Sequence, residues 1–328
     1  YTTGVANPYL LLEPSRTNRL ANSENGYGWT TSNVTVLPFD GGINGKYFQL
    51  TSNGSASRFN VIQDNWVNLA AATYTASVFA KKGTTDEIIL TTRANFATLD
   101  KYASFNLTSG TIITTSSVTA NIEEYSDGWY RCSITFTNPG SYSDFASFAY
   151  GFNYNASSTD TLFVTAPQSE IGTYPTSYIP TYSVSATRAA DIISNFPSSN
   201  DLSVPSDSWT ILWDLNENSV SAGPRWFDDN LQNIQLYPSG ANKSRVYWRG
   251  IGQYIASTGG SKIIARYDGT TATEFHDGVN KGSASYSGQL PFDFYTTSSF
   301  NSGKWIINKF MVFPTALSDA DCITLTTI

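Results

Sequence analysis

His276 is the single histidine of the chain, and it stands in the run Glu274-Phe-His276-Asp277-Gly278. A Ser-His-Asp hydrolase needs a nucleophile held against such an imidazole in space. Asp277-Gly278 is a hairpin-turn signal, so His276 is expected as an exposed turn residue rather than a base. Glycoside hydrolysis needs two acids placed about 5–10 Å apart across a cleft. The adjacent pairs Glu123-Glu124 and Asp228-Asp229 would send their side chains to opposite faces of any strand, and they read as solvated loop acids. No Glu-x-Asp-x-x-Glu strand and no Walker-type glycine loop is present. Two cysteines, Cys132 and Cys322, and one histidine give no raw material for a zinc cluster. The two cysteines lie far apart, and no disulfide between them is expected.

Sugar chemistry is better supplied. Sugars pack flat C–H faces on aromatic rings, while their hydroxyls need carboxylate, amide or guanidinium partners. The chain has 8 Trp and 20 Tyr. Trp129, Trp209, Trp213 and Trp305 fall in alternating strand patterns and are assigned to cores. Trp29, Trp66, Trp226 and Trp248 have polar or Gly-rich neighbours and are the expected exposed rings. Arg225-Trp226-Phe227-Asp228-Asp229-Asn230, together with Arg245-Val-Tyr247-Trp248-Arg249, gathers rings, guanidinium groups and carboxylates. These residues form the candidate ligand surface.

The elements that must carry such a surface are strands. Charged residues make up 14% of the 328 residues and aromatic residues another 14%. That balance, among many turn formers, excludes a helical protein. Hydrophobic residues reach 40%, which excludes disorder. A net charge of −7 argues against binding nucleic acid or an anionic membrane. No run approaches the roughly 20 apolar residues of a membrane span.

Thr73–Phe79, Tyr130–Phe136 and Ser147–Tyr154 alternate apolar and polar residues, as half-buried antiparallel strands do. Turn signals such as Asp40-Gly41-Gly42, Lys82-Gly83, Asp127-Gly128 and Pro139-Gly140 separate them. Later strands are expected at 208–215, 233–237, 245–249 and 262–267. Lys304–Phe313, apolar on both faces, is expected as a central strand. Ser318-Asp-Ala-Asp321 predicts the cap of one short C-terminal helix. The reading is all-β: two consecutive antiparallel sandwiches, a jelly roll and then a concanavalin-A-like domain. Residues 1–18 read as a connector, 19–194 as the jelly roll, 195–207 as a Pro- and Ser-rich linker and 208–328 as the second sandwich. Proteolysis is expected first in the linker, and Tyr1 reads as the cut edge of a longer protein.

Several segments resemble a known frame. Leu11-Leu-Glu-Pro-Ser-Arg-Thr-Asn18, Asn22-Ser-Glu24 and Trp29 are similar to the opening of carbohydrate-binding-type jelly rolls in phage tail-fibre and head-spike proteins. Asp127-Gly-Trp-Tyr-Arg-Cys132 resembles their characteristic strand. Gln168-Ser-Glu170-Ile-Gly172, Pro175-Thr-Ser-Tyr-Ile-Pro180 and Thr187-Arg-Ala-Ala-Asp191 resemble their ending. Trp209-Thr-Ile, Ala265-Arg-Tyr-Asp-Gly-Thr, His276-Asp-Gly278 and Met311–Asp319 resemble a laminin-G-like sandwich.

The resemblance implies a virion-surface fibre or spike segment, trimeric in its full form and in contact with other virion proteins, or a bacterial protein sharing the module. It implies a non-catalytic adhesin for host surface glycan. A purely structural attachment module and a polysaccharide depolymerase are the alternatives. It needs no cofactor, but it points to Glu24 and Glu170 as ligands of a structural calcium ion. Failing that, Gln168 and Glu170 would hydrogen-bond within the sheet.

Overall fold

The computed structural model describes residues 10–54, 59–66, 70–93, 101–138, 146–152, 159–191, 198–217, 227–229, 234–238, 244–248, 251–296 and 305–327. It divides into two compact units. Among the described residues one comprises Arg16–Arg188, the other residues 10–15 with those from Ala189 onward. In chain order the strands open with β1 (Leu10–Leu12), β2 (Arg16–Asn18), β3 (Thr30–Ser32), β4 (Val34–Asp40), β5 (Lys46–Ser52), β6 (Phe59–Trp66) and β7 (Ala72–Lys82). There follow β8 (Glu87–Arg93), β9 (Lys101–Asn106), β10 (Thr111–Ser116), β11 (Thr119–Glu124), β12 (Trp129–Asn138), β13 (Ala146–Phe152), β14 (Thr161–Ile171) and β15 (Ala186–Arg188). The remainder are β16 (Trp209–Glu217), β17 (Phe227–Asp229), β18 (Ile234–Pro238), β19 (Ser244–Trp248), β20 (Gln253–Tyr254), β21 (Lys262–Tyr267), β22 (Thr271–His276), β23 (Val279–Ser285), β24 (Phe294–Thr296) and β25 (Trp305–Phe313). One helix, α1 (Asp319–Thr326), closes the described chain. Among the described residues all ladders are antiparallel, as the alternating patterns predict.

The first unit packs sheet β11-β12-β7-β14-β5-β4 against sheet β10-β9-β8-β13-β6-β3. Period-two alternation puts Val78 and Ala80 of β7, Cys132 and Ile134 of β12, and Leu162 and Val164 of β14 on the inner face. They meet Ile88, Leu90, Phe105, Phe148 and Tyr150 of the facing sheet. Cys132 lies in this core, where burial pushes its thiol well above the ordinary range. Both cysteines are free and buried.

In the second unit, sheet β1-β25-β16-β21-β22-β23 faces sheet β20-β19-β18-β17-β24. Trp209, Ile211, Trp213, Ile263 and Tyr267 of the first meet Ile234, Leu236, Val246 and Trp248 of the second. Strand β25 is flanked on both sides, by β1 and β16, with Ile307 buried and Asn308 and Lys309 exposed. Helix α1 covers the outer face of the larger sheet, with Cys322 against Leu212, Ile264 and Phe275. Burial pushes the Cys322 thiol up to about 11. Ser318 caps the helix through its hydroxyl, which accepts from Asp321 N–H at 3.2 Å. Ser318→Ala should cost about 1 kcal/mol, read as a lower urea midpoint with unchanged slope.

Two boundaries differ from the sequence reading. Leu10–Leu12 is not a bare connector: it pairs with Trp305–Ile307 as an edge strand of the second unit. The described part of the expected linker is folded too. Ser199 N–H donates to Phe292 O at 2.8 Å, and Val204 joins the second core. Hydrophobic burial of Val204 outweighs the loop-like composition around it, so this stretch is anchored at Ser199 and Val204 while residues 200–203 stay exposed. Residues 192–197 lie outside the described residues.

Candidate functional site

In the first unit the outer face of sheet β11-β12-β7-β14-β5-β4 is apolar in part. Directly opposed residues of an antiparallel pair share a face, so registers lay out its rows. Trp129 pairs with Lys81, Lys81 with Phe163, Phe163 with Gln49 and Gln49 with Leu37. One step along the strands lie Arg131 opposite Phe79, and Tyr47 opposite Phe39. Further on, the face turns polar: Ser133 opposite Ser77, and Thr135 opposite Thr75. Two faces of different character meet on one sheet.

The polar part is covered. Glu170 is fully buried, and its Oε1 accepts from Gln168 Nε2 at 2.7 Å and from Thr176 N–H at 2.8 Å. Its Oε2 accepts from Thr176 Oγ1 at 2.7 Å, with Arg16 Nε at 3.8 Å. Gln168 Oε1 takes Ile179 N–H at 2.7 Å, and Asn18 Nδ2 donates to Ile179 O at 2.9 Å. The segment from Tyr174 to Thr181 is thus clasped onto the sheet.

The aromatic part is open. Tyr47 stands edge-on to Trp129 at 6.0 Å and to Phe163 at 5.7 Å, measured between ring centroids. These rings, with Asp40, Gly42, Lys81 and Asp127, line a cleft of about 570 Å³, a volume in the range of small-ligand sites. Two turns shape its mouth. Gly41 N–H donates to Gly45 O at 2.9 Å across the β4–β5 turn. There Gly42 has φ +73°, and a Cβ on it would press on Tyr47 and Trp129 at 3.3–3.4 Å. The Ser126–Gly128 turn is closed by Tyr125 N–H donating to Trp129 O at 2.8 Å. It holds Asp127 at φ +60°, a conformation that few residues other than glycine tolerate. Asp40 and Asp127 are exposed, Lys81, Tyr47 and Phe163 half-buried, and Trp129 forms the buried wall. Beneath them Phe79 carries Arg131 stacked at 5.2 Å. The cleft offers rings for C–H faces, two carboxylate acceptors and one ammonium donor.

The expected site residues fall elsewhere. Trp248 is fully buried, stacked on Trp209 at 5.8 Å with its indole N–H donating to Glu274 at 2.6 Å. Alternation along β19 explains this: Ser244, Val246 and Trp248 point inward, and Arg245 and Tyr247 outward. Tyr247 does sit in an aromatic group, 4.8 Å from Tyr254, whose ring lies 3.9 Å under the Arg245 guanidinium. Trp29 is half-buried, with its ring on Phe48 at 4.7 Å, and seals the first core rather than forming a platform. Arg225, Trp226 and Arg249 lie outside the described residues, as do the side chains of Trp66 and Asp228.

His276 is not an exposed turn residue. It ends β22 fully buried, with Nε2 2.9 Å from Glu274 Oε2. Residues 274 and 276 share a face, and that face is the core.

The two acids implied as calcium ligands are each engaged by protein groups among the described residues. Glu170 is ringed by N–H and O–H donors beside a guanidinium, an environment suited to a carboxylate and hostile to a cation. Glu24 lies beside the Tyr178 hydroxyl, which shares a hydrogen bond with Ser23 Oγ at 2.6 Å. Burial, above all, pushes that phenol up, opposed by a hydrogen bond from Ser23 and reinforced by Glu24. Among the described residues no group of three or more His, Cys, Asp or Glu gathers. Sequence reasoning missed Tyr47, Lys81 and Phe163, because only long-range register brings them beside Trp129. The turn signals Asp40-Gly41-Gly42 and Asp127-Gly128 were the available hint.

Among the described residues no helix is long and apolar enough to cross a membrane. No protein-family model matches the chain, and no curated protein matches it. Among solved structures, a chain of the tripod (BppUct-A-L) from the baseplate of bacteriophage Tuc2009 aligns with 88% of this chain and 100% of its own length. The identity is 15% and the TM-score 0.27, too loose a superposition to carry an argument about fold or function.

Proposed function

We propose that the chain is a non-catalytic, glycan-binding segment of a virion fibre or spike, trimeric in its full form, with its sugar site in the Tyr47–Trp129–Phe163 cleft. One observation carries the binding reading: three rings and two exposed carboxylates converge on one open cleft. The placement in a virion rests on the sequence frame from Leu11 to Asp191 alone. A sugar stacked on Tyr47 would remove ~100 Å² of apolar surface from water, worth roughly 2–3 kcal/mol at ~25 cal/mol per Å². Association and ordering consume part of that gain.

Calorimetric titration with host surface polysaccharide tests the reading. Tyr47→Ala should weaken binding about tenfold, while Tyr247→Ala in the second unit should leave it unchanged. The reverse result moves the site to the Arg245–Tyr247–Tyr254 group. A complete lack of binding by the wild type leaves a structural attachment module. Asp40 and Asp127 share the cleft, so the titrated polysaccharide should also be assayed for reducing ends. Their release with time would make the chain a depolymerase.

A further inference from the structure

Resting on the glycan reading, we propose that the cleft takes an uncharged linear saccharide of several residues, which leaves the cleft over Phe39 at the β4 edge. Three observations support this. Phe39 is 39% exposed and stacks on Tyr47 with centroids 5.5 Å apart and planes 14° apart. The steps from Phe39 to Tyr47 and from Tyr47 to Phe163 or Trp129 are thus nearly equal, 5.5 to 6.0 Å, each about the breadth of one pyranose ring. Phe39 extends the aromatic surface one ring beyond Tyr47, which stands edge-on to Phe163 and Trp129.

The strip is also open at one end. Among the described residues β4 is the last strand of its sheet, and none lies beyond Phe39. Leu37, two residues away on the same face, is 48% exposed and widens the apolar edge. A chain can therefore continue past the cleft, and the ligand need not be a chain terminus.

Charge sets the class. The lining holds Asp40 and Asp127 against Lys81 alone, and no arginine is among the lining residues. A uronate or sulfated sugar would meet two carboxylates and one ammonium on a chain of net charge −7. Two planar carboxylates instead suit paired hydroxyls, each accepting from neighbouring O–H groups. Neutral hexose polymers fit this balance, and acidic ones are repelled.

The test uses the full chain on a printed array of glucose, galactose and mannose homo-oligomers, one to six residues long, with uronate counterparts. Calorimetry on the best ladder follows. Affinity should rise about tenfold from the monosaccharide to the trisaccharide, and uronates should bind about tenfold more weakly than their neutral counterparts. Phe39→Ala should abolish the rise with length while leaving the monosaccharide affinity unchanged, and Phe39→Tyr should restore it. Phe39 is exposed, so the fold should survive, as circular dichroism would verify. Equal affinity for one and three residues, a length dependence that persists in Phe39→Ala, or uronates bound as tightly as neutral chains overturns the proposal while leaving glycan binding intact. Failure of every printed sugar to bind overturns the glycan reading itself.

Discussion

Replacing His276 by alanine is expected to destabilise the second unit by about 3 kcal/mol or more, although the residue touches no ligand. The imidazole Nε2 and Glu274 Oε2 are 2.9 Å apart with both side chains fully buried. One hydrogen must lie between them. Without the ring, one oxygen of a buried carboxylate loses its partner, and Trp248 remains as the donor to the other oxygen. An unpaired polar atom costs about 1–3 kcal/mol, and breaking a buried pair on one side typically 3–5 kcal/mol. Urea unfolding followed by tryptophan emission would measure the loss, since Trp209 and Trp248 stack above the pair. A midpoint equal to wild type would show that the pair contributes nothing. The double variant His276→Leu with Glu274→Met removes the pair but strands the buried Trp248 N–H, so it should recover only part of the loss.

Glu170→Ala should be at least as damaging to the first unit, again by about 3–5 kcal/mol. The carboxylate gathers three hydrogen bonds from Gln168 and Thr176, with the Arg16 guanidinium 3.8 Å away. Truncation strands these donors under the clasped segment, where water cannot replace the lost acceptor. Glu170→Gln keeps one acceptor oxygen but brings an N–H₂ against donors, so it should recover only part of the loss. Thermal denaturation by circular dichroism separates the outcomes. If Glu170→Ala melts with the wild type, the clasp is not what holds Tyr174–Thr181 to the sheet. Addition of calcium should not shift the wild-type midpoint, because the carboxylate already has its partners.

The all-β fold was legible because alternation is a local property. Tyr130, Cys132, Ile134 and Phe136 announce both the strand and its buried face, and β12 follows that reading. Ser318 likewise announces the helix it caps. Trp248 was legible in principle: counted by twos, Val246 and Trp248 belong to the buried face, and its polar neighbours belong to the other. Reading by neighbourhood instead of by alternation misplaced it. His276 was misread because Asp277-Gly278 marks a turn, yet His276 keeps the inward parity of Ala272 and Glu274. The cleft was not legible. Asp40, Lys81, Asp127 and Phe163 are separated by about forty residues each, and only the order β12-β7-β14-β5 of the folded sheet makes neighbours of them. The Gln168–Glu170 hydrogen bond was legible as the alternative to calcium, whereas Arg16 and Asn18 stood out as a frame without disclosing what they hold.

The way the backbone enters and leaves the first unit has a genetic consequence. Arg16 and Arg188, its first and last residues, are paired across β2 and β15. Just outside them Asp191 N–H donates to Glu13 O at 2.9 Å, and Glu13 N–H to the Asp191 carboxylate at 2.9 Å. The polypeptide thus departs and returns through two adjacent strands, and the flanking stretches on both sides belong to the second unit. A DNA segment encoding residues 16–188 is therefore a cassette. Recombination could exchange it for any module whose ends meet side by side, and the surrounding reading frame would still encode an intact second sandwich.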